Sequence, residues 1–91
     1  IKFVNAASEK LHRSDGSLTV GVTDGNDNCV YLSNLLFGLF LRKVVCHELC
    51  HCFMMSYNIF IPIEQEEFLA DWISIYGEDL MSAISREVQY G

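Results

Sequence analysis

Ninety-one residues, with six Lys and Arg against twelve Asp and Glu, make a small acidic chain of net charge −6. That length fits one domain, spanning residues 1–91, whose core is marginal and would gain from an added staple. The 51% apolar and 20% charged fractions read as globular rather than disordered. With no Lys/Arg cluster to neutralise phosphates, a nucleic-acid surface is not expected.

The first residues, Ile1 to Val4, read as a short strand. A polar segment follows, with a turn at Ser14-Asp15-Gly16-Ser17. Two β-rich runs, Leu18 to Val22 and Cys29 to Leu32, flank Asp24-Gly25-Asn26-Asp27 and predict an antiparallel hairpin with a loop longer than the tightest kind. Ser33 is the expected N-cap of a helix running from Asn34 to about Tyr57, with a bend near Gly38. Asn58 and Pro62 bracket a connection. Pro62 then suits the first turn of a second helix, with Glu64, Glu66 and Glu67 at its positive end. That helix is expected to reach Tyr76, and a further helical stretch to cover about Glu78 to Val88. Strands first and helices after argue for an α+β fold.

The apolar run Leu35 to Leu41, interrupted by Gly38 and closed by Arg42-Lys43, is too short to span a bilayer, so no membrane partner is expected. There is no signal-peptide pattern, while the absence of an initiating Met leaves room for an upstream segment. Cys46, Cys50 and Cys52 crowd into one expected helix, where bridging is geometrically poor. Reduced thiols and a cytoplasmic location are therefore expected. Phe37, Phe40, Phe53, Phe68 and Trp72 are expected in the core.

The chemistry lies on the first long helix, in His47-Glu48-Leu49-Cys50-His51. Histidines four apart project from one helical face, one turn apart, and can share one Zn²⁺ per chain without backbone distortion. Glu48 is turned by about 100° from His47, where a carboxylate reaches a water beside the metal without being a ligand. Such a string arises by chance in a chain this long only about a few times in a thousand at average residue usage. The competing interpretation is two ordinary histidines with a solvated Glu48.

A catalytic zinc takes three protein ligands and keeps one open position. No His follows His51: position 54 is Met54 and position 57 is Tyr57, so a metzincin third histidine is missing. The third donor must be a downstream carboxylate, or else His12 or a cysteine. The second helix offers Glu64, Glu66, Glu67 and Asp71. Glu67 and Asp71 share a face, so one can bind metal while the other orients a histidine.

His47-Glu48-Leu49-Cys50-His51 followed by Glu67-Phe68-Leu69-Ala70-Asp71 resembles the gluzincin arrangement. It is also similar to the small phage and mobile-element metallopeptidases of the ImmA/IrrE type, whose Glu-rich helix ends in an Ala-Asp pair, here Ala70-Asp71. The resemblance covers residues 18 to 76, HExxH being its specific part. It implies a minimal zincin-like metallopeptidase domain, with Glu67 as third ligand, Asp71 supporting the first histidine, and an edge strand holding extended substrate. An ImmA-like enzyme would cleave a repressor-like regulator; the residues themselves name no substrate, and the acidic balance is compatible with action on a protein or peptide substrate. Glu66 is the next choice of ligand, because it flanks the apolar stripe. Tyr57 or Tyr76 is a candidate to polarise the scissile carbonyl. Two other functions compete: a closed structural or regulatory zinc module, completed by Cys52 or Cys29, and a catalytically inert interaction domain, against which the intact Glu48 speaks.

Overall fold

The computed structural model describes residues 1–13 and 15–88. Ser14, the first residue of the expected turn, lies outside them, as do residues 89–91. Three strands, β1 (Lys2–Val4), β2 (Gly21–Asp24) and β3 (Cys29–Ser33), precede two helices, α1 (Gly38–Ser56) and α2 (Ile63–Glu87). The fold is α+β, as the order of elements implied. The sheet is mixed, however. Its order is β1-β3-β2, with β1 parallel and β2 antiparallel to the central β3.

The hairpin forms where the turn chemistry predicts it. The Asp24 carboxylate accepts the N–H groups of Asn26 (2.9 Å) and Asp27 (3.2 Å), and Asn28 takes the left-handed conformation at φ +49°, which Asn tolerates. Tyr31 then donates its hydroxyl to Asp27 at 2.7 Å, and Lys10 reaches the same oxygen at 3.1 Å. The Tyr31 bond, followed by Lys10, holds the Asp27 carboxyl below its ordinary range, while the same bond pushes the phenol up. The loop is thereby clamped to the 3₁₀ turn Glu9–Leu11.

Several boundaries move. β2 starts three residues later than the β-rich run, because Leu18 bridges His12 instead. Ser33 is not a helix cap. Its N–H bonds the Val20 carbonyl at 2.9 Å and the Asn34 N–H bonds that of Val4 at 2.8 Å, so the sheet keeps this segment. α1 begins at Gly38, whose φ of +64° marks the helix start rather than a bend within it. At its other end Asn58 adopts φ +54°, and the N–H groups of Ile59 and Asn58 bond the carbonyls of Met54 (2.9 Å) and Met55 (3.2 Å). This is a Schellman closure with Asn in the glycine position. α2 begins directly after Pro62 and passes Gly77 without a break, so the two expected helical stretches are one.

The core is thin. Leu11 of the 3₁₀ turn and Leu32 of β3 are fully buried, and Cys50, Met54 and Ala70 join α1 to α2 with Leu69 and Ile73 packed beside them. The expected aromatic core is not there: Phe37, Phe40, Phe53, Phe68 and Trp72 range from 81% to 38% exposed. The small sheet packs on α1 through β2, and the two helices meet along a narrow stripe, so among the described residues much apolar helix surface stays exposed. The four cysteines are free, Cys50 buried and the others half-buried. Burial raises the Cys50 thiol above its ordinary value. Among the described residues, no helix is long and apolar enough to cross a membrane.

Candidate metal centre

α1 presents His47 and His51 from consecutive turns, and α2 crosses them with Glu67. The three closest approaches are equal: His47 Nε2 to His51 Nε2, His47 Nε2 to Glu67 Oε2 and His51 Nε2 to Glu67 Oε1 are each 3.2 Å. Tetrahedral zinc with donors at about 2.0–2.1 Å requires donors about 3.3 Å apart; the two imidazole nitrogens meet that spacing, Glu67 reaches each of them through a different oxygen, and one donor atom from each residue lies within 4.8 Å of the other two, so the residues present fit such an ion. These three form a group that can hold a metal ion, and it contains neither His12 nor a cysteine. His12 is exposed at the far end of the 3₁₀ turn.

The outer contacts sort the acidic candidates. Asp71 Oδ1 lies 2.9 Å from His47 Nδ1, a contact in which Nδ1 donates to the carboxylate, and Nε2 faces Glu67 and His51, where its lone pair would serve a metal. Glu66 lies behind His51 instead, with its oxygen 3.6 Å from Nδ1, beyond hydrogen-bond length. It is also the more enclosed of the two neighbouring glutamates, 18% against 46% exposed at the side chain. The geometry depends on Ala70, which is 0% exposed between Glu67 and Asp71 on α2. Only a small side chain lets α2 approach Cys50 and Met54 closely enough for the carboxylate to meet both imidazoles.

Glu48 faces the sheet. It is 7% exposed, and the Thr23 hydroxyl lies 2.8 Å from its Oε2 and 3.1 Å from its backbone carbonyl. Nothing in the sequence marks Thr23, because the contact spans 25 residues. β2 comes this close because of Gly21. A Cβ there would stand 2.9 Å from Val44 Cγ1, 3.1 Å from Leu32 Cδ2 and 3.3 Å from Glu48 Cγ.

An open cleft of about 610 Å³ runs along α1 between β2 and α2. Its floor carries Leu39, Phe40, Lys43, Val44, His47 and Glu48; Arg13 and Thr19 to Gly21 line one wall, Asp71 and Ser74 the other. Tyr57 and Tyr76 are both absent from its lining. Tyr57 lines a separate apolar groove with Phe53 and Ile59, while Tyr76 packs on Trp72 with ring centroids 5.6 Å apart. The cationic groups that line the cleft beside His47 are Arg13 and Lys43, which no spacing rule singled out.

Along β2 the backbone alternates. Ser33 N–H bonds Val20 C=O, so Val20, Val22 and Asp24 turn their peptide groups to β3 while those of Gly21 and Thr23 face the free edge. Comparison of the chain with protein-family profiles, with curated proteins and with solved structures gives no match.

Proposed function

We propose that this protein is a zinc-dependent peptidase of minimal zincin-like, gluzincin type, similar to the ImmA/IrrE metallopeptidases. The observation that carries this reading is the group of His47, His51 and Glu67, whose donor atoms lie within 4.8 Å of one another, with Glu48 beside His47 on the cleft. Three donors leave a four-coordinate zinc one open position, which supports an enzyme over a closed structural module. The absence of any cysteine from the group supports the same choice.

When bound, zinc would acidify a water and polarise a carbonyl oxygen. Glu48 takes a proton from the attacking water and returns it to the leaving amine. Thr23 holds that carboxylate in place through a single hydroxyl bond. Asp71 fixes the His47 tautomer. β2 lies at the edge of the sheet, and the outward peptide group of Thr23, which is half-buried where Gly21 is buried, would orient an extended substrate by strand addition.

Replacing Glu48 by Gln tests the reading. The variant should keep fold and zinc but lose at least ~10² in peptidase rate, measured on a peptide library by mass spectrometry. Equal cleavage by both proteins would remove Glu48 from the reaction.

A further inference from the structure

Most of this chain repels a negatively charged peptide, with twelve acidic residues against six basic ones. Of the basic residues, Lys10 is paired with Asp27 and Arg42 with Glu78. Arg13 and Lys43 line the cleft beside His47 and Glu48, and neither is in an ion pair among the described residues. Arg13 is steadied by an Nη2 to Thr19 Oγ1 contact of 3.4 Å, which sets its guanidinium against the strand entering β2.

Resting on the peptidase reading above, we propose that this cleft selects peptides carrying a carboxylate on the C-terminal side of the cleaved bond, received by Lys43 and Arg13. The polarity follows from how β2 lies on α1. Gly21 sits against Val44, Thr23 against the Glu48 carbonyl, and a Cβ on Gly25 would stand 3.5 Å from Met55, so strand and helix run in the same sense. A peptide pairing antiparallel to β2, the more stable arrangement per residue, therefore runs against α1. Its C-terminal half passes over Lys43 and then over Leu39 and Phe40.

The distance follows from helix and strand geometry. Lys43 precedes His47 by one turn, about 6 Å along the axis at 1.5 Å per residue. An extended peptide advances about 3.3 Å per residue, so the carboxylate belongs about two residues from the cleaved bond. Leu39 and Phe40, a turn further on, suit an apolar side chain beyond it. A guanidinium and an ammonium together favour a carboxylate over a neutral amide of the same shape.

The test uses short peptides with blocked ends and a neutral dye, each carrying one Glu, Gln or Lys. They are titrated into zinc-loaded Glu48→Gln protein, which holds peptide without turnover. Glu peptides should bind about tenfold tighter than Gln peptides, about threefold for each exposed cation, and the difference should shrink in about 0.5 M salt. Lys43→Glu and Arg13→Glu should reverse the preference toward Lys peptides, and the milder Lys43→Gln and Arg13→Gln should flatten it. A second arm compares free and amidated C-termini. Tighter binding of the free form assigns the terminal carboxylate as the group received, and equal binding assigns the side chain. Equal affinities for Glu and Gln peptides, unchanged in the charge-reversal variants, would overturn the proposal. Cleavage by the wild type without charge preference would leave the peptidase reading intact and this one refuted. Carboxylate-selective binding with no cleavage by the wild type would do the reverse.

Discussion

Gly21→Ala tests the contact on which the Glu48 environment rests. The added methyl would stand 2.9 Å from Val44 Cγ1 and 3.1 Å from Leu32 Cδ2. Val44 is β-branched and stiff, and Leu32 is fully buried, so neither yields cheaply. Overpacking of this kind costs about 1–3 kcal/mol, offset by about 0.5–1 kcal/mol from the backbone freedom a glycine loses in a strand. The net loss is therefore about 1–2 kcal/mol, or roughly 5–15 °C in Tm for a chain of this size. Thermal melts of zinc-free protein by circular dichroism measure it without help from the metal. Gly25→Ala is the control, because its Cβ would meet Met55 at an ordinary 3.5 Å. A Gly21→Ala protein as stable as the wild type would mean that β2 does not lie on α1 at this distance, and the Thr23–Glu48 bond would lose its basis.

Competitive zinc titration separates the acidic residues of α2: Glu67→Ala should abolish tight binding, Asp71→Asn should cost about 10–100-fold, and Glu66→Ala should be mild. Loss of binding in Glu66→Ala with retention in Glu67→Ala would move the third ligand by one residue. Zinc should also raise the melting temperature, by the equivalent of about 2.7 kcal/mol at a hundredfold excess over Kd, and this gain should vanish in Glu67→Ala. Thr23→Val should lower kcat about tenfold with KM little changed, the size of one hydrogen bond at roughly 1–1.5 kcal/mol; an unchanged kcat would show that Glu48 needs no anchor. The Asp27 carboxyl is lowered, first by Tyr31 and then by Lys10, so its contribution is present above the ordinary carboxylate value of about 4 and lost as pH falls through its folded value. The stability gap between wild type and Tyr31→Phe in urea should accordingly close as pH drops below about 4, and a gap constant down to pH ~2 would contradict the clamp.

Short-range chemistry was legible. The helical spacing of His47 and His51, the Asp24 turn and the shared face of Glu67 and Asp71 all follow from residues close in sequence. What failed was long-range. Ser33 reads as a cap, yet Val20 and Val4 recruit its neighbourhood into the sheet. Gly77 reads as a helix boundary, but a single glycine costs about 1 kcal/mol, which the flanking turns of α2 outweigh. Phe37 and Phe53 read as core because they are large and apolar, and a sequence does not reveal that the domain offers too little sheet to cover them. Thr23, Arg13 and Lys43 were invisible for a related reason: a hydroxyl and two cations acquire meaning only once β2 is laid along α1.

The free edge of β2 also governs how the protein avoids its own kind. A strand edge beside the metal-binding group is a template for any extended chain, including another copy of this one, and self-pairing there would compete with any bound peptide as concentration rises. The strand is only four residues long, and its alternation turns just Gly21 and Thr23 outward. Two outward residues hold a peptide in register while other contacts retain it, but they are too few to seed a continuous intermolecular sheet. The brevity of β2 thus limits self-pairing, and lengthening it toward Leu18 would be expected to favour aggregation.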